Sequence, residues 1–263
     1  MRRYLVFTLA APLASFGTLA VGERRPTWDR PSKSQTLGLI AAALGIERTE
    51  EERQRALARS LGFAVRVDDA GQLLTDYHTT QQPSGASVRR RLRQGLSVDT
   101  RRDELLCDDI ETGLSRRELR ECVTYTIALW EQADAATTLA EIERKLQTPG
   151  FVLYAGRKAN ALHFPCGPVL VEATDVVGAF AAFDAGKHEA KRRKFRDAWT
   201  PNWLVTNRSR QSPRIYTDAD GVGVQTISQV EERRDIPESR AKWRFLRRDE
   251  TLLTPFESGT PRP

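Results

Sequence analysis

The sequence predicts an α+β fold, and three features of its apolar pattern support this prediction. The continuous apolar run Arg3–Leu9 is typical of a central strand that is covered on both faces. A helical apolar run, Leu37–Leu44, separates this strand from a second one at Phe63–Val67. The same alternation returns with a β-rich run at 122–130 and a helical pattern at 135–146. Strand, helix and strand twice over is the order of a ferredoxin-like sheet.

Length, composition and charge set the broad class of the protein. The chain has 263 residues, enough for one large or two small domains with a real core. Its formal net charge is +6, which favours a polyanionic partner: nucleic acid first, and an anionic membrane surface second. The three cysteines, Cys107, Cys122 and Cys166, are an odd number without metal-ligand spacing. We therefore expect no metal, no cofactor and a reducing cytoplasm.

The N-terminus imitates a secretion signal, because two arginines precede an apolar run that extends to Ala20. Pro12, Ser15 and Gly17 interrupt this run, which is also too short for a membrane span. A first β-strand at Arg3–Leu9, in a protein without a membrane partner, is the better interpretation.

The next element is a helix with well-marked ends. Ser32 and Gln35 have the spacing of a capping box, and Gly45 is well placed to end the helix. Between them only Gly38 breaks the apolar run Leu37–Leu44, so no face is left for water and the helix belongs in the core.

The start of this helix carries Arg30, Lys33 and Ser34. Free N–H groups and the positive end of the helix dipole would favour a phosphate here. The alternative is that the cations are solvated flanking charges, and the helix alone does not decide between the two. A P-loop is excluded, because the phosphate-cradling glycines are missing before Lys33.

The segments on either side of this region are interpreted as follows. Residues 10–30 form a loop that brings Arg24, Arg25 and Trp28 to the helix, where Trp28 either stacks on a base or covers the helix end. A charged helix at 47–61 precedes the strand Phe63–Val67, and a strand at 73–77 ends in the polar cluster 77–81. Residues 82–116 carry many arginines balanced by acidic residues, so on composition alone they form a flexible solvated loop.

Later segments add further basic residues. The apolar segment 151–158 predicts a strand that breaks at Gly156 and ends in two cations able to meet a phosphate. A helix is expected within 169–183 and a strand at 222–230. The basic stretch 187–196, close to Trp199 and Trp203, is either solvated or part of a single-strand groove.

Five motifs stand in an order that resembles the CasD family of type I-E CRISPR Cascade subunits. They are the helix start 30–39, the segment 76–79, Arg116-Arg117-Glu118-Leu119 before a strand, the segment 153–158, and 234–237 followed by Arg244-Phe245. Each motif is weak alone, but five in order across nearly the whole chain are specific.

The resemblance implies a modified ferredoxin-like, RNA-recognition-type palm with a protruding thumb and a small C-terminal β-rich part. The palm would comprise 1–81 and 116–253, the thumb 82–115, and a disordered tail 254–263. The protein would grip the 5′ handle of CRISPR RNA (crRNA) without catalysis and cap the backbone filament. Its partners would be crRNA, the neighbouring backbone and large subunits, and target DNA indirectly. The candidate RNA-binding residues are Arg25, Arg30, Lys33, Ser34, Tyr77, His78, Arg116, Arg117, Tyr154, Arg157 and Lys158.

An enzyme is the alternative function. Relatives in type I-C systems process precursor crRNA, and a Tyr-His-Lys grouping suits metal-independent cleavage through the 2′-hydroxyl. Tyr77, His78 and Lys158 could form such a group. We favour the simpler interpretation that Tyr77 and His78 pack or hydrogen-bond on a strand.

Overall fold

The computed structural model describes residues 1–18, 20, 22–133, 135–186, 213–223, 227–239 and 241–253. The strands are β1 Arg2–Ala14, β2 Arg24–Arg25, β3 Leu61–Asp69, β4 Gln72–Pro83, β5 Ile110–Glu131, β6 Val169–Ala173, β7 Arg214–Thr217, β8 Ile227–Ser239 and β9 Arg244–Leu253. The helices are α1 Lys33–Leu44, α2 Glu51–Ser60, α3 Gly85–Arg93, α4 Arg101–Leu105, α5 Leu139–Gln147 and α6 Val176–Ala185, with a short 3-10 helix at Ala219–Gly221.

The chain divides into two compact units. The first comprises Met1–Phe16, Trp28–Gln72 and Arg120–Pro263, and the second comprises Gly17–Thr27 and Leu73–Leu119. The range 82–115, expected to form a thumb, lies inside the second unit. The basic stretch 187–196 with Trp199 and Trp203, and the predicted tail 254–263, lie outside the described residues.

The first unit is built on an antiparallel sheet with strand order β6-β1-β5-β3-β7-β9-β8. Strand β1 lies between β5 and β6, so the predicted central strand at Arg3–Leu9 is confirmed. Its side chains alternate between two cores: Leu5 and Phe7 pack with residues of α1 and α5, whereas Tyr4 and Val6 pack with residues of α6. Both faces of this part of the sheet are therefore covered, as its continuous apolar sequence requires.

Strand β1 is longer than predicted, because Pro12 does not end it. Thr8 donates its N–H to the carbonyl of Cys166, on the side of β1 opposite β5 (N···O 2.9 Å). The nitrogen of Pro12, four residues later, faces that same side, where β6 pairs only with Arg2–Val6. The missing N–H therefore removes no bond from the ladder with β5.

Helix α1 has the predicted ends. Ser32 and Gln35 form a capping box, and Gly45 ends the helix with φ of 73°. Leu37, Leu39 and Ile40 are all buried, so the helix lies in the core as expected. The predicted helix at 135–146 is confirmed as α5, in which Leu139, Ile142 and Leu146 face the same core.

The segment 151–158 is not a strand, which corrects the prediction made from its apolar composition. Gly150 and Phe151 donate their N–H groups to the carbonyls of Ala43 and Ala42 (both 2.9 Å), which lie near the end of α1. These bonds anchor the start of the segment to the end of α1, and the segment runs as a loop with one isolated bridge, Tyr154–Ala161. The preference of apolar residues for strands is overridden by this tertiary contact.

The second unit contains β2, most of β4, residues 110–119 of β5, and helices α3 and α4. The composition-based interpretation of 82–116 as a flexible loop is wrong for the described residues, because Ser84 caps α3 and a Thr100–Asp103 capping box starts α4. The cluster Tyr77–Gln81, predicted to follow a strand, lies within β4 instead.

The second unit buries few apolar side chains. Among its described residues only Cys107 and Leu119 count as buried apolar residues, and neither of the two hydrophobic cores contains a residue of this unit. Eight large apolar side chains among these described residues are exposed: Leu73, Leu74, Tyr77, Leu92, Leu96, Leu105, Leu106 and Leu114. Its order therefore depends on strand pairing and helix caps more than on a core.

Candidate functional site

The candidate RNA-binding residues divide between the two units. Arg30, Lys33, Ser34, Tyr154, Arg157 and Lys158 belong to the first unit, and Arg25, Tyr77, His78, Arg116 and Arg117 belong to the second.

The start of helix α1 is occupied by carboxylates of the chain itself. Lys33 is only 7% exposed; its backbone N–H donates to Asp235 Oδ2 (2.8 Å) and its ammonium donates to Asp218 Oδ2 (2.7 Å). Arg30 is also buried, donates to Glu250 Oε2 (2.5 Å) and lies 3.5 Å from the centroid of the Tyr216 ring. The cations at this helix start are therefore not solvated, and one of its N–H groups is taken by Asp235.

Arg248 joins these carboxylates into one network. Its guanidinium donates to both oxygens of Asp235 (2.7 and 2.9 Å), to Asp218 (3.0 Å) and to Glu250 (2.7 Å). We call Arg30, Lys33, Asp218, Asp235, Arg248 and Glu250 the buried clasp. It ties α1 to β9, to β8, and to the residue after β7. The sequence did not reveal it, because its partners lie about two hundred positions from α1 and no local spacing links them.

The clasp shifts the ionisation of its members. Burial raises the pKa of Asp218, although the charges of Lys33 and Arg248 oppose this shift. Burial would lower the pKa of Arg248, but hydrogen bonds and charge from Asp235 raise it above its usual value. The ion pairs therefore keep Arg248 charged, but they do not fully offset the loss of water around Asp218.

The loop Tyr154–Lys158 presents two cations on a tight turn. Gly156 has φ of 87°, and a Cβ atom there would lie 1.8 Å from the carbonyl oxygen of Ser15. This close approach of two backbone segments is possible because glycine has no Cβ atom. Asn160 closes the turn by donating its N–H to the carbonyl of Arg157 (2.9 Å). This turn leaves Lys158 exposed and Arg157 half-buried.

In the same loop, Tyr154 is half-buried and lines a small cavity with Phe16, Gln35 and Thr36. Tyr154 therefore lies near the start of helix α1.

In the second unit, cations and an aromatic ring meet on a β-ribbon. The guanidinium of Arg116, on β5, lies 5.4 Å from the centroid of the Tyr77 ring, on β4. Strand β2 pairs in parallel with β5 and places Arg25 opposite Arg117. Arg25 donates to the carbonyl of Gly22 but remains exposed, as does Arg116.

His78 Nε2 lies 2.7 Å from Asp76 Oδ2, within hydrogen-bond distance. These two residues are two positions apart on β4, so they share a face, and Tyr77 between them points to the opposite face. The pairing of Tyr77 with His78 that the enzymatic alternative requires is therefore not formed. Lys158, its third member, belongs to the first unit.

Neither a metal cluster nor a membrane-spanning helix is found in the described part of the chain. Among those residues, no group of three or more His, Cys, Asp or Glu side chains has an arrangement that could hold a metal ion. No described helix combines the length and apolar character needed to cross a membrane.

Comparisons with known proteins agree with this architecture. The chain is 32% identical over 173 residues to the CRISPR system Cascade subunit CasD of Escherichia coli (strain K12), covering 63% of this chain and 70% of that protein. A solved CRISPR RNA-guided surveillance complex contains a chain with a TM-score of 0.57 at 19% identity, covering 95% of this chain and 90% of that one. A solved Cas protein has a TM-score of 0.55 at 21% identity, covering 96% and 95%. These two structures support the mixed fold with a large antiparallel sheet.

The family pattern described as CRISPR-associated protein (Cas_Cas5) matches residues 4–249, almost the whole described chain. The resemblance to Cascade subunits that the ordered motifs indicated is confirmed by this match and by the identity to CasD. The chain belongs to the Cas5 family of CRISPR-associated proteins.

Proposed function

We propose that this protein is the non-catalytic crRNA-binding subunit of a type I-E Cascade complex, holding the 5′ handle of the guide at one end of the backbone filament. The observation that carries this proposal is the 32% identity to a Cascade CasD subunit across 70% of its length. In this role its partners are crRNA, the neighbouring backbone subunits and the large subunit, and it meets target DNA through the guide.

The proposed palm is a modified ferredoxin-like fold of the RNA-recognition type. Supporting this, the strand order β6-β1-β5-β3 is antiparallel throughout. Helices α1 and α2 lie between β1 and β3 in the chain, and α5 lies between β5 and β6. This is the connectivity of a split β-α-β pair. Strands β7, β8 and β9 extend the sheet beyond that core, and residues 82–115 of the second unit would act as the thumb.

The proposed RNA contacts are the predicted residues that are exposed or only half-buried. Arg25, Arg116 and Arg117 in the second unit, and Arg157 and Lys158 in the first, would contact phosphates. Tyr77 and Tyr154 would stack on bases, with His78 next to Tyr77 in the chain. Arg30, Lys33 and Ser34 are left out of this set, because all three are buried and the two cations already have carboxylate partners.

The two kinds of contact predict different salt behaviour in the assembled complex. Lys158→Ala and Arg117→Ala should weaken binding to handle RNA and scrambled RNA alike, and each should reduce the salt slope by about 0.7 for every phosphate that the protein no longer neutralises. Tyr154→Ala should cost about 1–3 kcal/mol and leave the slope nearly unchanged. RNA affinity measured at several salt concentrations distinguishes these outcomes.

Arg59→Ala is the matched control, because Arg59 is an exposed cation on α2 outside the proposed contacts. It should leave affinity and slope at wild-type values. If Lys158→Ala and Arg117→Ala also keep the wild-type RNA affinity and salt slope, the proposed phosphate contacts are refuted.

One observation favours the enzymatic alternative: His78 is oriented by Asp76, as a general base often is. We nevertheless expect the purified protein to leave repeat-containing RNA intact, because Tyr77 and His78 face opposite sides of β4. Incubation with labelled precursor crRNA followed by a denaturing gel tests this. Specific cleavage that disappears in His78→Ala would establish the nuclease instead.

A further inference from the structure

The tip of the β8–β9 hairpin carries an exposed aromatic residue outside the proposed RNA contacts. Trp243 is 60% exposed, and its φ of 50° lies in the left-handed region that residues other than glycine rarely adopt. Its ring centroid lies 6.2 Å from that of Phe245, at an interplanar angle of 42°. A large ring held in a strained conformation and left mostly in water is unusual, and such outliers cluster at ligand-binding positions.

Positive charge lies beside this ring and along the hairpin that carries it. The guanidinium of Arg48 lies 5.1 Å from the centroid of the Trp243 ring. Two other cations of the hairpin, Arg244 and Arg247, form ion pairs with Glu238 and Glu232. In the part of the chain that the structure describes, Arg48, Arg234 and Lys242 have no carboxylate within ion-pair distance.

We propose that this hairpin tip binds single-stranded nucleic acid, with one base stacked on Trp243 and with Arg48, Lys242 and Arg234 attracting the phosphates. Every base has a π-face, so a tryptophan flanked by cations suits a single strand of any sequence. A protein partner is less well matched, because cations without a carboxylate partner suit the continuous negative charge of a phosphate backbone better than the mixed charges of a protein surface. The surface shares no residue with the proposed handle contacts, so the two proposals can fail separately.

A guide RNA and an unpaired DNA strand offer the same chemistry, so both are tested with the full-length protein. Labelled oligouridylate and oligodeoxythymidylate of equal length serve as probes, and fluorescence anisotropy gives their affinities. Trp243→Ala should weaken binding by between about fivefold and about 150-fold without changing the salt slope. Trp243→Phe, which keeps an aromatic face, should retain most of the affinity. Arg48→Ala should weaken binding and reduce the slope.

Leu246→Ala is the matched control, since Leu246 is a half-exposed apolar residue on the same hairpin without an aromatic face. It should bind both probes like the wild type. If Trp243→Ala loses affinity for only one of the two probes, the proposal is supported and that probe identifies the natural strand as RNA or DNA. The proposal is overturned if Trp243→Ala binds both probes with wild-type affinity. It is also overturned if the Trp243 and Leu246 variants capture neighbouring subunits more weakly while their binding to the probes is unchanged. If Trp243→Ala does not fold, unchanged affinity and slope in Arg48→Ala overturn the proposal.

Discussion

Replacing Asp218 with alanine is expected to lower the free energy of unfolding by about 3–5 kcal/mol. Asp218 accepts hydrogen bonds from the ammonium of Lys33 (2.7 Å), the N–H of Phe63 (3.0 Å) and the guanidinium of Arg248 (3.0 Å). Without the carboxylate, the buried Lys33 side chain loses the ion-pair partner that the structure gives it. Urea unfolding, followed by circular dichroism, should show a lower midpoint for the variant.

The control for this experiment is an exposed ion pair on the β8–β9 hairpin. Arg247 and Glu232 are 62% and 59% exposed in their side chains, with 3.1 Å between Nη1 and Oε1. Arg247→Ala should change stability by no more than about 1 kcal/mol. Equal midpoints for the Asp218 and Arg247 variants would show that the buried clasp does not hold the first unit together.

Gly156→Val is expected to be the second most damaging change, and it should act on both stability and RNA affinity. Valine strongly disfavours a φ of 87°, and its Cβ would overlap the carbonyl oxygen of Ser15. The loop must move to relieve this overlap, so Tyr154 and Lys158 would leave their places together. We expect a loss of at least about 2 kcal/mol in unfolding free energy, and an RNA affinity below that of Lys158→Ala at a temperature where both variants are folded.

Gly178→Ala provides the contrasting case for that experiment. Gly178 lies in α6 without a positive φ, and its Cβ would meet no atom closer than 3.4 Å. Alanine favours a helix by about 1 kcal/mol over glycine, so this variant should be as stable as the wild type or more stable. A Gly156 variant that behaves like the Gly178 variant would contradict the close approach to Ser15.

The elements that the sequence predicted well are those whose signals are local. Helix α1 was predicted with both ends, because a capping box and a terminal glycine act within a few residues of each other. Strand β1 was predicted from its continuous apolar run, because a strand can bury such a run only when both of its faces are covered.

The errors arose where distant partners decide the outcome. In the sequence, Arg30 and Lys33 look like a basic helix start. In the structure they are buried and pair with Glu250, on β9, and Asp218, directly after β7. Residues 151–158 have the composition of a strand, but hydrogen bonds to the end of α1 give them another course. Neither partner can be recognised from spacing along one sequence.

The small number of buried apolar side chains in the second unit should affect how stable the protein is before it joins a complex. Burial of apolar surface is what offsets the entropy lost when a chain becomes ordered, and among its described residues this unit gains such burial only from Cys107 and Leu119. In an unassembled subunit we expect this unit to open far more often than the rest of the chain, which gives proteases access to its many arginines. Proteases and chaperones would then remove copies that find no guide RNA or neighbouring subunit, so the amount of this protein in the cell would follow the supply of its partners.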